Sequence, residues 1–451
     1  MFFPEKFIHK IRDLLQNDYE AFIKALEGEA PVSIRINTDK FPEIHNWRNY
    51  EKVAWSENGI YLDKRPIFTL DPLLHAGAYY VQEASSMFLG EVFKGLSFDT
   101  DDLRVLDLCA APGGKSTHLL SLLNDKSLLV SNEVIRSRVG VLTENLIKWG
   151  RPNFIVTNND SEDFKNLSYQ FDVVLVDAPC SGEGLFRKDK EAISEWSEDN
   201  VKLCTARQSR ILEGIEEIIK PNGYLIYSTC TYEASENEMQ IEQLLQNGDF
   251  EYIEIPVSEN SGIEKRKYGY QFYPHKIKGE GFYIACLKKM STKEKNWRVP
   301  KKHQLNLCDK KASQILSEFV LPHKECLFFQ KQEVSVAFPK NLFDDLIFIA
   351  ENLNVRYAGI EMGKLSTKEF IPSHHLALST IINKEKFLQQ ELSYEEAIAY
   401  LRRDDLKLRI SEYEGWTLFT YQQLPLGWAK VLKNRINNYY PIEWRIKMEA
   451  K

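Results

Sequence analysis

Two of the seven cysteines in the 451-residue chain sit where a thiol can do chemistry. Cys180 lies in the loop Asp177-Ala178-Pro179-Cys180-Ser181-Gly182, and Cys230 ends Ser228-Thr229-Cys230. A Pro-Cys in a Gly/Ser loop is not a core position, and such a thiol can act as a covalent nucleophile when its surroundings allow. Cys204, Cys286, Cys308 and Cys326 read as structural, and no CxxC pair or Cys/His ladder occurs, so neither disulfides nor a metal site is expected. The adjacent pair His374-His375 stands beside apolar LALS and reads as packing or capping.

Three carboxylates complete the candidate chemistry. Glu133, Asp160 and Asp177 each close an apolar run: SLLVSNEV, FIVTNND and DVVLVDAP. A fourth run, RVLDLCA, leads into Cys109-Ala110-Ala111-Pro112-Gly113-Gly114-Lys115. This turn is not a Walker A loop, whose first glycine would fall at Cys109, and the dinucleotide pattern G-x-G-x-x-G is absent. Small residues around one Gly-Gly turn suit a nucleoside better than a pyrophosphate. An acid about 20 positions after the glycines, here Glu133, suits two ribose hydroxyls. Each acid read alone is as easily a turn former or a helix cap. Acids at three successive strand ends repel phosphate and favour a cationic cofactor with a ribose diol. S-adenosylmethionine meets that description.

The elements that must bring these residues together are legible between Leu103 and Lys289. Short continuous apolar runs alternate with helical stretches, KSTHLLSLL after the glycine turn and RSRVGVLTENLIKWG before the third strand. A long helical segment over 198–220 is expected to end at Pro221-Asn222-Gly223, and FYIACLKK reads as a closing strand. That alternation predicts an α/β doubly wound, Rossmann-like parallel sheet covered on both faces. In such a sheet ligands bind beyond the carboxyl ends of the strands, so both thiols and all three acids face one edge.

Chemistry suited to this set follows from pyrimidine reactivity. Carbon 5 of a pyrimidine is too weakly nucleophilic to take a methyl group from a sulfonium. A thiolate added to carbon 6 makes carbon 5 enamine-like, and a base must then remove the carbon-5 proton before the thiol leaves. The scheme needs a nucleophile, a proton-handling group and a carboxyl near ring N3. Two cysteines and Asp177 supply the three parts, although spacing does not decide which cysteine attacks.

The segments VLDLCAAPGGKSTHL, DVVLVDAPCSGEGLFRKD and GYLIYSTCTYEASENE resemble the motifs of the Nol-Nop-Sun family of RNA 5-cytosine methyltransferases. GAYYVQEASSM and GEGFYIACL resemble the family's stretches before and at the end of the cofactor domain. The tail, with YAGIEMGK, FIPSHHLALS and LPLGWAKV, resembles the bacterial RsmF-type subgroup that modifies 16S ribosomal RNA, whose last module is PUA-like. The resemblance implies S-adenosylmethionine held by Cys109, Ala110, Ala111, Pro112, Gly113, Gly114, Lys115, Glu133, Asp160 and Asp177. It also implies Cys230 as nucleophile and Cys180 as the residue that assists release; cytosine-5 DNA methyltransferases use the Pro-Cys cysteine instead. A transfer RNA substrate, or an RNA-binding assembly factor with a vestigial site, are the alternative functions.

Around this core the expected divisions are an N-terminal α+β RNA-binding region over 1–95 and the methyltransferase domain over 96–290. A polar linker leads to an intermediate α+β domain over 305–385 and a β module over 386–451. The N-terminal region opens with an amphipathic helix near 5–26. From Trp428 onward six basic residues face two acidic ones, interleaved with Trp428, Tyr439, Tyr440 and Trp444. That composition reads equally as a stacking and phosphate surface or as an ordinary core with a solvated rim. The net charge of −7, from 58 basic and 65 acidic side chains, argues against wholesale nucleic-acid binding but permits a local basic groove. No apolar run approaches the ~20 residues that span a bilayer, and the start is not a signal peptide. The expectation is a cytoplasmic monomer that acts on ribosomal RNA or the 30S subunit.

Overall fold

The computed structural model describes residues 3–41, 50–98, 100–406 and 414–448. Its centre is the expected doubly wound sheet. The strands are β1 Arg104–Asp107, β2 Leu128–Asn132, β3 Phe154–Thr157, β4 Phe171–Asp177, β5 Ile219–Thr229 and β6 Phe282–Lys289. They lie in the order β6-β5-β4-β1-β2-β3, with β1 to β5 parallel and β6 antiparallel to β5. The order reverses between β1 and β4, which makes that crevice the switch point where ligands bind. Helices α1 Gly114–Leu122, α2 Arg136–Trp149, α3 Ser161–Lys165 and α4 Glu198–Leu212 make connections between them.

Alternate residues of each strand enter two cores, as the two-residue side-chain period demands. Val105, Leu129, Val173 and Ile226 face one core, and Leu106, Val130, Val174 and Leu225 face the other. The second core is closed partly by Phe338, Leu346 and Ile349 from beyond residue 305. A strand of the same later segment, Val355–Ala358, pairs antiparallel with β3. The 305–385 segment therefore contributes to the central sheet as well as forming a five-stranded antiparallel sheet of its own. Its anchor is Asp345, which accepts from Arg104 Nε at 2.8 Å, from Arg104 Nη2 at 3.0 Å and from Tyr169 Oη at 2.5 Å.

Two local expectations need correction, and one open reading is decided. The segment 198–220 is not one helix: α4 stops at Leu212, Gly214 turns left-handed, and a short 3-10 turn over Ile215–Ile218 leads into β5. Burial of Ile218 and Ile219 overrides the helical pattern, and Asn222, at φ 61°, lies inside β5 instead of ending a helix. The helix near 5–26 is two, Glu5–Leu15 and Tyr19–Glu27, separated at Gln16–Asp18. The break lets Phe7 and Ile11 of one, and Phe22 and Leu26 of the other, share one core with Phe186, Trp196 and Tyr232.

The open reading is that of the tail. A four-stranded sheet runs over Leu388–Glu391, Gly415–Tyr421, Leu424–Leu432 and Arg435–Asn438, with helix Tyr394–Arg402 against it. Trp428 and Tyr440 are fully buried. Trp428 Nε1 donates to the Ser373 carbonyl at 2.6 Å, and Tyr440 packs against His75 and His374. These two rings are core; Tyr439 is exposed, and Trp444 lies partly buried against His374 and His375. Lys451 and Glu449 of the basic tail lie outside the described residues. Among the described residues, no helix is long and apolar enough to cross a membrane.

Asp345→Ala would leave the largely buried Arg104 guanidinium without its carboxylate. The expected loss is about 3–5 kcal/mol of unfolding free energy, read by urea denaturation. A loss below about 1 kcal/mol would show that the later segment is not anchored through this pair.

Candidate active site

The glycine turn after β1 brings a backbone edge to the switch point. Gly113 takes φ 111°, a conformation glycine adopts without strain, and begins α1. The Ala111-Pro112 peptide is cis. At the end of β2, Glu133 is almost wholly buried. Its Oε1 accepts from the Ile135 N–H at 2.8 Å, and its Oε2 lies 3.3 Å from the Ala111 N–H and 3.5 Å from Arg138 Nη1. Arg138 Nη2 also donates to the Ala111 carbonyl at 2.6 Å, which fastens the turn to α2. Glu133 and the Cys109–Lys115 loop are thus brought together as the spacing suggested.

Asp177, at the end of β4, meets both the turn and the next strand. Its Oδ1 accepts from Ser228 Oγ at 2.7 Å, and its Oδ2 pairs with Lys115 Nζ at 2.8 Å. Burial disfavours the Lys115 ammonium, yet Asp177 holds it above the ordinary lysine range; Cys230 lies near enough to add to this. Lys115, expected only as part of the cofactor loop, therefore reaches across to the thiol side of the site.

Asp160 occupies its alternative role. It caps α3 in a reciprocal box with Asp163, and its Oδ2 pairs with Arg210 Nη2 at 2.7 Å. Partial burial would raise its carboxyl, but the Glu162 N–H and Arg210 hold it below the usual range. The helix cap and this ion pair account for its contacts.

The two cysteines meet. Cys180 Sγ lies 3.1 Å from Cys230 Sγ, and the Cys230 N–H points at Cys180 Sγ at 3.3 Å. Both are free and half-buried. Cys180 is held firmly as the thiol by its hydrogen bond with Cys230, by burial and by the Glu236 charge.

Several side chains of this site were missed in the sequence reading. Asp107 is fully buried, accepts from Ser116 Oγ at 2.6 Å, and leaves Oδ1 without a hydrogen-bond partner among the described residues. Arg138 braces the turn. Glu183 and Glu236 lie behind the thiols, inside the motif segments already noted, where a buried acid carries no distinguishing sequence signal. Arg35, a buried residue of the N-terminal strand Val32–Ile36, donates to Thr117 Oγ1 at 2.7 Å and to Ser121 Oγ at 3.1 Å on α1. The His pair is structural: His374 is buried, and His375 Nδ1 lies 3.2 Å from Glu361.

A parallel sheet in this order, with antiparallel strands beyond β5 and an acid-lined glycine turn at the switch point, defines a Rossmann-like, S-adenosylmethionine-dependent methyltransferase. Residues 96–288 match the family described as 16S rRNA methyltransferase RsmB/F. Residues 3–84 match the N-terminal domain of 16S rRNA methyltransferase RsmF, and residues 387–446 the methyltransferase RsmF PUA domain. The chain belongs to the RsmF family of 16S rRNA methyltransferases.

Ribosomal RNA small subunit methyltransferase F of Shewanella loihica is 31% identical over 94% of this chain and 90% of its own length. That of Vibrio atlanticus is 30% identical over 98% of both. A methyltransferase homolog from Pyrococcus horikoshii is 28% identical, with a TM-score of 0.55 over 64% of this chain and 95% of that one. NSun6 from the same organism, solved with SFG, is 19% identical with a TM-score of 0.55 over 64% and 99%, a likeness of fold.

Burial pushes the Asp107 carboxyl up to about 7, with the Ser116 hydrogen bond opposing and the Asp177 charge adding. A carboxyl raised by folding binds its proton more tightly in the native state than in the unfolded chain. Its contribution to stability therefore falls as pH rises from about 4 to about 7, by on the order of 1.4 kcal/mol per pH unit. Denaturant unfolding across that range should show a flatter pH slope for Asp107→Asn than for the wild type. Equal slopes would mean that Asp107 is ionised throughout.

Proposed function

We propose that this chain methylates carbon 5 of a cytosine in 16S ribosomal RNA through a covalent adduct with Cys230. The observation that carries the reading is the meeting of two free thiols at 3.1 Å beside the Lys115–Asp177 pair.

The donor set fits S-adenosylmethionine. Glu133 offers a buried carboxylate to ribose hydroxyls, the 109–115 turn lies beside it, and Asp107 has a buried oxygen to spare. Glu133, Asp177 and the 109–115 turn would hold the cofactor, with Asp160 at the adjoining strand end. When bound it supplies an electrophilic methyl group.

In this reading Cys230 Sγ gives up its proton and forms a bond to ring carbon 6, and the displaced π electrons make carbon 5 nucleophilic. Asp177, kept in place by Ser228 and Lys115, would carry that proton to ring N3, which neutralises the negative charge the addition creates there. After methylation Cys180 gives its thiol proton to the departing Cys230 Sγ, 3.1 Å away, and takes up the carbon-5 proton, while the electrons of that C–H bond restore the double bond as the sulfur–carbon-6 bond breaks. The contact of the two sulfurs places Cys180 to exchange a proton with the attacking residue. The target base must leave its stack, which a looped site makes less costly. The same reading makes the protein a cytoplasmic monomer acting on ribosomal RNA or the 30S subunit.

Transfer of labelled methyl from S-adenosylmethionine to 16S ribosomal RNA and to 30S subunits, run beside transfer RNA and DNA, tests the substrate. Cys230→Ala should abolish both methyl transfer and any covalent RNA complex. Cys180→Ala should still add and methylate, then stall as a slow band on a denaturing gel. The reverse pattern would exchange the two roles, and no adduct from either variant on a substrate the wild type methylates would remove the covalent step.

Glu133→Ala should weaken S-adenosylmethionine binding by roughly 1.5–3 kcal/mol, the worth of a charged hydrogen bond. Calorimetry showing unchanged affinity in the folded variant would take Glu133 out of the site.

A further inference from the structure

Behind the two thiols lie two buried carboxyls that the proposed chemistry leaves unused. Glu183 is 2% exposed and Glu236 0%. Among the described residues no ion pair reaches either, so each carboxyl is satisfied by hydrogen-bond donors rather than by a cation.

The donors are arranged reciprocally. Glu183 stands on the loop of Cys180, but its Oε2 accepts from the Thr231 hydroxyl and the Tyr232 N–H, both at 3.0 Å, immediately after Cys230. Its Oε1 accepts from Trp196 Nε1 at 2.8 Å. Glu236 stands on the loop of Cys230, but its Oε2 accepts from the Ser181 N–H at 2.9 Å, immediately after Cys180. A 2.8 Å hydrogen bond between the Ser181 and Thr231 hydroxyls joins the two sides. Each cysteine loop is therefore held by an acid belonging to the other.

We infer that Glu183 and Glu236 are positioning residues, a crossed pair of buried carboxyls that sets the separation and aim of the Cys180 and Cys230 thiols. Burial pushes Glu183 up to about 8, with the Glu233 charge adding, and raises Glu236 above the usual carboxylate range. Acids this costly to bury serve poorly as packing, since an apolar side chain would fill the volume without the desolvation penalty. Beside Trp196 on Glu183 and Gln208 Nε2 on Glu236 at 2.9 Å, their donors are the residues next to each thiol, so losing an acceptor frees the loop where the sulfur is aimed. A shift of about 1 Å in a reacting group can cost about 10²-fold in rate.

The inference rests on the proposed methyl transfer only for its activity readout. Full-length Glu183→Gln and Glu236→Gln keep the side-chain volume while removing one acceptor oxygen, and Glu183→Ala and Glu236→Ala remove both. The first measurement needs no RNA: the iodoacetamide alkylation rates of Cys180 and Cys230, read separately by peptide mass spectrometry. The ratio of the two rates should shift severalfold in each folded variant. The second is kinetic: kcat should fall by about 10²-fold, while KM for RNA and calorimetric affinity for S-adenosylmethionine stay within about threefold.

Folded variants with wild-type alkylation ratio and kcat would overturn the proposal. So would Gln variants that fail to fold, or that lose cofactor affinity in step with kcat, because the acids would then serve general stability. If the wild type methylates none of the RNAs offered, the proposed function fails, and the alkylation ratio by itself decides the positioning role.

Discussion

The parallel pairing of β4 with β5, in the register that sets Asp177 beside Ser228, determines where the reactive groups stand. Two strands that leave a sheet at the same level deliver their following loops side by side. Here those loops carry Cys180 and Cys230, fifty positions apart in the chain and in contact in space. Their approach needs a residue with no side chain where they cross. The Gly184 N–H donates to the Cys230 carbonyl at 2.8 Å, and a Cβ at Gly184 would fall 2.2 Å from the Gly281 carbonyl oxygen and 2.9 Å from that of Cys230. Pairing of β1 with β4 does the same for the glycine turn, bringing Lys115 onto Asp177.

This concentration of acids at one sheet edge creates an electrostatic problem that the fold resolves in several ways. Lys115 neutralises Asp177, Arg210 pairs with Asp160, and Arg138 approaches Glu133. Asp107, with no ion pair among the described residues, is pushed toward its protonated form. An edge with balanced charge can receive a sulfonium and an RNA backbone without the repulsion that uncompensated carboxylates would impose on phosphate.

The flanking regions serve the site by packing as well as by any contact with RNA. Arg35 reaches α1 from the N-terminal sheet and lies over the Trp149 ring, and Tyr80 packs against Gly114. The wall of the cofactor turn is thus partly N-terminal. At the other end, Trp428 and Tyr440 join the tail to Ser373, His374 and His75. Aromatic residues that composition offered for stacking on bases are used to bury the junction, and basic side chains such as Lys430, paired with Glu369, lie at its rim.

Local pattern was enough for the parallel sheet, the glycine turn with its acid at Glu133, and the two loop thiols. Continuous apolar runs, turn residues and strand-end acids are short-range features that a chain displays one segment at a time. The residue-level matches to family motifs then carried the cofactor and the reaction class. Tertiary structure decided the rest. It broke the segment 198–220 after Leu212 because burial of Ile218 and Ile219 outweighs helical spacing. It made Trp428 a core residue, gave Asp160 a capping role, and turned Lys115 toward Asp177. Glu183 and Glu236 were the least legible, because an acid reads in sequence as solvated surface. Only the fold shows that loops fifty residues apart supply the donors that let such a carboxyl be buried.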